Sequence, residues 1–166
     1  YEAIQLSAVI NRAERYLVKA NNLEKKEFKP YYIMMDGINS TQLAHNKNSS
    51  YTQNLKRDAE RLTRAIKASN NLDLICNFMT YKQDELHGVF NGKIEDFVDL
   101  AKDVLKDTDL RMVYSDKGLT NIEDTVYGSP FDLYGKSCND ARVKMNNPQK
   151  QIILSKGKAM TYDNFK

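Results

Sequence analysis

Apolar positions recur along this chain in two rhythms. Leu6, Val9, Ile10, Ala13, Leu17 and Ala20 fall three and four residues apart. That is one stripe of an amphipathic helix, ending near Asn21-Asn22. The same spacing returns at Leu55, Ala59, Leu62 and Ile66, with Arg57, Asp58, Glu60, Arg61, Arg64 and Lys67 on the other faces. It returns again at Ile94, Phe97, Val98, Ala101, Val104 and Leu105. Between the stripes stand short apolar runs. Pro30 blocks helix continuation, and the run after it stops at Asp36-Gly37. Residues 31–36, 72–79, 110–114 and 151–154 are therefore predicted strands, short and bounded by Pro, Gly or polar residues. Residues 45–50 read as a loop. Residues 82–92 are polar and glycine-punctuated, a hairpin around Val89-Phe90 at most. A short helix is predicted over 120–127, and another begins at Ser129-Pro130.

Helix then alternates with strand four times. This order predicts a three-layer α/β domain, a mostly parallel sheet of about four to five strands flanked by helices through right-handed crossovers. The whole chain, 1–166, reads as one domain: 1–29 form an extra N-terminal helix and a charged connection, and 30–166 form the core. A length of 166 residues with 41% apolar and 28% charged residues suits a single self-sufficient core.

Charge and cysteine content narrow the function classes only a little. A net charge of +3 implies no nucleic-acid partner by itself and excludes none. Cys76 and Cys138 stand far apart with no metal-ligand spacing, which favours a reducing intracellular compartment, such as the cytoplasm. With His45 and His87 as its histidines, the chain has no histidine-rich metal cluster. No apolar stretch nears the roughly 20 residues that span a bilayer, so no membrane partner is expected. No secretory signal is visible. The sequence begins at Tyr1 rather than Met, as a fragment or processed product would.

In a parallel sheet, ligands sit beyond the carboxyl ends of the strands. The first strand ends at Asp36-Gly37-Ile38-Asn39-Ser40. An acid held there suits a hard cation such as Mg²⁺, which takes oxygen ligands and keeps several waters. Asp-Gly is also an ordinary turn that Asn39 or Ser40 would cap. After the third strand, Thr120-Asn121-Ile122-Glu123-Asp124 supplies two further acids, although Thr120 with Glu123 also matches a capping box. The fourth strand ends at Ser155-Lys156-Gly157-Lys158, where the lysines are either phosphate ligands or solvated side chains. Arg57, Arg61 and Arg64 share one side of a helix, as a phosphate-binding row or a salt-bridged surface would.

These segments resemble the NYN/PIN-like metal-dependent nucleases over about residues 31–166. The family's Asp-Gly-x-Asn motif reads Asp36-Gly37-Ile38-Asn39, its Lys-Gly-Val-Asp reads Lys117-Gly118-Leu119-Thr120, and its Ser-Gly-Asp-x-Asp-Phe reads Ser155-Lys156-Gly157-Lys158-Ala159-Met160. Thr120 replaces the middle acid, and the last motif lacks its acids until Asp163. The resemblance implies a nuclease using Mg²⁺ or Mn²⁺ on single-stranded RNA or DNA, or an impaired relative that only binds. Asp36 and Asp124 would hold the metal, with Glu123 as substitute; Asn39 would orient a water, and Lys156, Lys158 and Arg61 would hold substrate. The alternative resemblance is to von Willebrand A-like metal-dependent protein-binding modules, through Asp36, Ser40 and Thr120, and implies a protein partner. A weaker one is to ADP-ribosyltransferases, with Lys82 in place of the required Arg and Gln151 in place of the catalytic Glu.

Overall fold

The computed structural model describes residues 30–38, 51–81, 84–117 and 136–165. The predicted N-terminal helix, the helix expected over 120–127 and the start of the next at Ser129-Pro130 lie outside these residues. β1 (Pro30–Gly37) leads to α1 (Tyr51–Ala68), then β2 (Asp73–Tyr81) and β3 (Glu85–Asn91). α2 (Ile94–Val104), β4 (Leu110–Ser115) and α3 (Lys136–Met145) follow. A 3₁₀ turn (Pro148–Lys150), β5 (Ile152–Ser155), β6 (Lys158–Thr161) and α4 (Tyr162–Phe165) complete the described chain. No helix among the described residues is long and apolar enough to cross a membrane.

The strands form one six-stranded sheet in the order β2-β3-β1-β4-β5-β6, and every neighbouring pair is antiparallel. This corrects the expected mostly parallel sheet. The four expected runs are strands, but β3 and β6 join them as hairpin partners. β1 and β2 do run the same way, since both oppose β3. β3 lies between them and splits the crossover, as in a split β-α-β unit. Each parallel neighbour that the element order suggested is thereby replaced by an antiparallel one.

Strand alternation sends successive side chains to opposite faces. Ile33 and Met35 of β1 face α1 and α2, where Leu55, Ala59, Leu62, Ile66, Phe97 and Ala101 are buried. Val104, expected inside, is only partly buried beside them. Phe97 stacks between Phe78 and Phe90, with ring centres at 5.6 and 4.5 Å. Gly88 leaves room for this stack, because a Cβ there would meet the Phe78 ring at 2.5 Å. Tyr32 and Met34 face the other way, toward α3, with Val89, Val113 and Ala141. Asp36 shares the parity of Tyr32 and Met34, which sets the site on the α3 face.

Candidate functional site

Register gathers four segments at one end of the sheet. Asp36 is the cross-strand partner of both Glu85 on β3 and Arg111 on β4. Gly37 opposes Leu110, and Leu110 opposes Leu154, so the β5–β6 turn lies at the same end. Ile38 N–H donates to the Asp109 carbonyl (3.1 Å), and the Ser155 hydroxyl donates to the Asp109 carboxylate (2.5 Å), which ties β1, β4 and β5 together there.

Arg111 Nη2 donates to Asp36 Oδ2 at 2.8 Å, and the two side chains are 33% and 16% exposed. A half-buried carboxylate beside a guanidinium is charge-compensated on the spot. The first residue of α1, Tyr51, lays its phenol against Gly37, where any Cβ would overlap the hydroxyl. Burial raises the Tyr51 hydroxyl far above its ordinary range, and the charges of Asp36 and Asp84 raise it further.

Glu85 faces a second set of partners. His87 Nε2 lies 2.8 Å from one carboxylate oxygen and Arg142 Nη1 of α3 lies 2.6 Å from the other. The Tyr32 hydroxyl lies 2.6 Å from His87 Nδ1. A carboxylate only accepts, so Nε2 carries the proton toward Glu85. Burial alone would raise the Glu85 carboxyl, but the hydrogen bonds from His87 and Arg142 outweigh it and hold it at about 2. Tyr32 is itself pushed up, first by burial and then by the neighbouring Cys138. Further contacts fix α3: Lys144 Nζ donates to the Tyr114 carbonyl at 2.9 Å and pairs with Asp140 at 3.0 Å. Gln151 Nε2 donates to the Met145 carbonyl at 2.7 Å and caps the helix end. Gln151, which the transferase resemblance puts in the catalytic position, is therefore buried and engaged.

Of the residues singled out in the sequence, Asp36, Lys156 and Lys158 come to the same end of the sheet. The lysines are exposed at the β5–β6 turn; β5 and β6 stand two and three strands from β1, roughly 10 and 14 Å across the sheet. Lys156 (φ 52°) and Gly157 (φ 77°) both adopt the left-handed conformation that a tight two-residue hairpin needs. Arg61 lies elsewhere, on α1, within 3.7 Å of Asp58 and 3.9 Å of Asp107. Asn39, Glu123 and Asp124 lie outside the described residues, as do Ser40, Thr120 and Lys82.

The sequence did not point to Asp84, Glu85, His87, Arg111 or Arg142. The available signal was Asp84-Glu85 followed by His87 in a segment bounded by polar residues, but its partners lie 55 to 75 residues away for Tyr32–His87, Glu85–Arg142 and Asp36–Arg111. Among the described residues, no three His, Cys, Asp or Glu side chains form a metal-binding group. Compared with known proteins, the chain matches no family model, no curated protein and no solved structure.

Proposed function

We propose that the Asp36 corner takes up Mg²⁺ or Mn²⁺ and that the protein acts there on single-stranded RNA or DNA, cutting it or binding it uncut. The supporting observation is that Asp36 closes β1 with Arg111 Nη2 at 2.8 Å, opposite the segment Asp84-Glu85 and at the sheet end that carries Lys156 and Lys158. Because the sheet is antiparallel, element order lends this reading no support; the chemistry of the corner does. Asp36 and Asp84 are hard oxygen donors and would hold the ion, with Asp124 or Glu123 contributing and Asn39 orienting a water by sequence position alone. When bound, such an ion activates water and offsets charge on a phosphate. Arg111 neutralises Asp36 in its absence and offers a planar donor fork to a phosphate in its presence. Lys156 and Lys158 supply unspecific attraction for a phosphate backbone. Glu85 is committed to His87 and Arg142 and serves as the wall of the site.

The test compares melting temperature, and binding and cleavage of labelled single strands, in EDTA, Mg²⁺ and Mn²⁺. Metal should raise the melting temperature and increase retention or cleavage of the strand. Asp84→Asn should remove both responses while leaving the metal-free melting temperature nearly unchanged. Identical behaviour with and without metal would remove the reading.

A further inference from the structure

A guanidinium carries five N–H donors in a planar fork. For Arg111 the described residues supply an acceptor to one of its nitrogens: Asp36 Oδ2 takes Nη2 at 2.8 Å. Arg111 Nε is buried from solvent and has no acceptor among them. A buried donor without a partner is costly, and a bound anion would relieve that cost. The carboxylates around the pair are already engaged. Glu85, across from Asp36, takes His87 and Arg142, and Asp109 takes the Ser155 hydroxyl. Arg111 is thus a cation with one partner and donors to spare, on a side chain still 33% exposed.

We propose that a divalent cation and a phosphodiester bind the Asp36 corner as a pair, each claiming one member of the Asp36–Arg111 ion pair, so that each tightens the binding of the other. This rests on the reading of Asp36 as a metal ligand. A cation alone draws Asp36 from Arg111 and leaves the guanidinium without its carboxylate, beside a charge of its own sign. A phosphodiester alone draws Arg111 away and leaves the Asp36 carboxylate facing a second anion. Either step breaks a partly buried pair and strands one of its charges, which is the unfavourable way to open such a pair. With both present, Asp36 faces the cation, Arg111 faces the phosphate, and neither charge is stranded. The planar fork suits this exchange, because it offers two N–H groups to two oxygens of one anion. Linkage makes the effect reciprocal: the factor by which phosphodiester raises the affinity for metal is the factor by which metal raises the affinity for phosphodiester. The corner therefore holds metal loosely by itself and firmly together with a substrate backbone.

Calorimetric titration of the full chain with Mn²⁺ tests this, without and with dimethyl phosphate, an anionic phosphodiester. Trimethyl phosphate, similar in shape and neutral, is the control. Dimethyl phosphate should tighten Mn²⁺ binding by about fivefold or more, the low end of ordinary coupling between sites. Trimethyl phosphate should leave it unchanged. Arg111→Met should bind Mn²⁺ more tightly than wild type when no phosphate is present, since no ion pair has to open, and should lose the response to dimethyl phosphate. Asp36→Asn should bind dimethyl phosphate more tightly than wild type in EDTA and should no longer respond to Mn²⁺. Melting temperatures verify folding; should Arg111→Met not fold, the Asp36→Asn titrations decide alone. Mn²⁺ binding through Asp36 that is indifferent to dimethyl phosphate would overturn the coupling and leave the metal reading standing. So would coupling that persists in Arg111→Met or that trimethyl phosphate reproduces. If no Mn²⁺ binding depends on Asp36 under any of these conditions, the metal reading falls and the coupling falls with it.

Discussion

The two faces of the sheet are built on different principles. Toward α1 and α2 the interior is apolar: Leu55, Leu62 and Ile66 pack on Ile33, Met35 and Leu86, and three phenylalanine rings stack beside them. Toward α3 the apolar contribution is small. Ala141 is the fully buried apolar side chain of that helix among the described residues, with Cys138 and Met145 partly buried around it. A row of hydrogen bonds from Tyr32 through His87 and Glu85 to Arg142 holds helix to sheet instead. Apolar burial is non-directional and stabilises in proportion to area. A polar row stabilises less but fixes positions, because each buried donor and acceptor must find its partner. The first face holds the fold; the second fixes one wall of the Asp36 corner.

The largest test of this contrast is Phe97→Ala. Phe97 is fully buried between two rings. Its removal should cost roughly 3–5 kcal/mol in denaturant unfolding, the range for truncating a buried Phe. A loss under about 1 kcal/mol would mean the apolar face does not dominate.

That apolar face was the legible one. Leu55, Ala59, Leu62 and Ile66 repeat at helical spacing, and all four are buried. The four apolar runs are strands because nothing but burial suits them. β3 escaped detection because Glu85, His87 and Gly88 make a polar-looking text, although residues 86–91 are all buried. Their polarity is satisfied by Tyr32 and Arg142, more than 50 residues away, and local spacing carries no trace of such pairings. β6 escaped because it is a short and largely exposed edge strand. Without those two hairpins, strand direction followed element order and came out parallel. The site shows the same division. Asp36 stood out as an acid closing a buried run, whereas its cross-strand neighbours Arg111 and Glu85 emerge only from the register.

A middle-sized effect should come from the polar face and should depend on pH. Glu85 is held at about 2, below its ordinary 4.5. A depressed carboxyl stabilises the fold fully above the unfolded value and loses that contribution as pH falls toward the folded one. Stability should therefore decline between about pH 4.5 and 2 on this group's account. Arg142→Met removes one of its two donors and should cost about 1–2 kcal/mol at neutral pH, since the arginine is partly exposed. The variant should also show a shallower decline in acid, measured as melting temperature against pH. Parallel curves for wild type and variant would show that Arg142 does not hold Glu85.

The smallest effect decides whether the polar face is a row or a set of separate bonds. Tyr32→Phe deletes one hydroxyl that is buried with its ring and bonded to His87 Nδ1. It should cost about 1 kcal/mol, the net worth of a buried hydrogen bond. On the apolar face, distant substitutions should add independently, within about 0.5 kcal/mol. Tyr32 and Arg142 do not bond each other directly; His87 and Glu85 stand between them. If polarisation runs along the row, the Tyr32→Phe and Arg142→Met double variant should lose less than the sum of the singles, by more than that margin. Once Arg142 is gone, His87 and Glu85 are already less constrained, and the Tyr32 hydroxyl has less order left to impose. Strict additivity in denaturant unfolding at neutral pH would reduce the row to three independent contacts. The corner beside Asp36 would then owe its geometry to strand register alone.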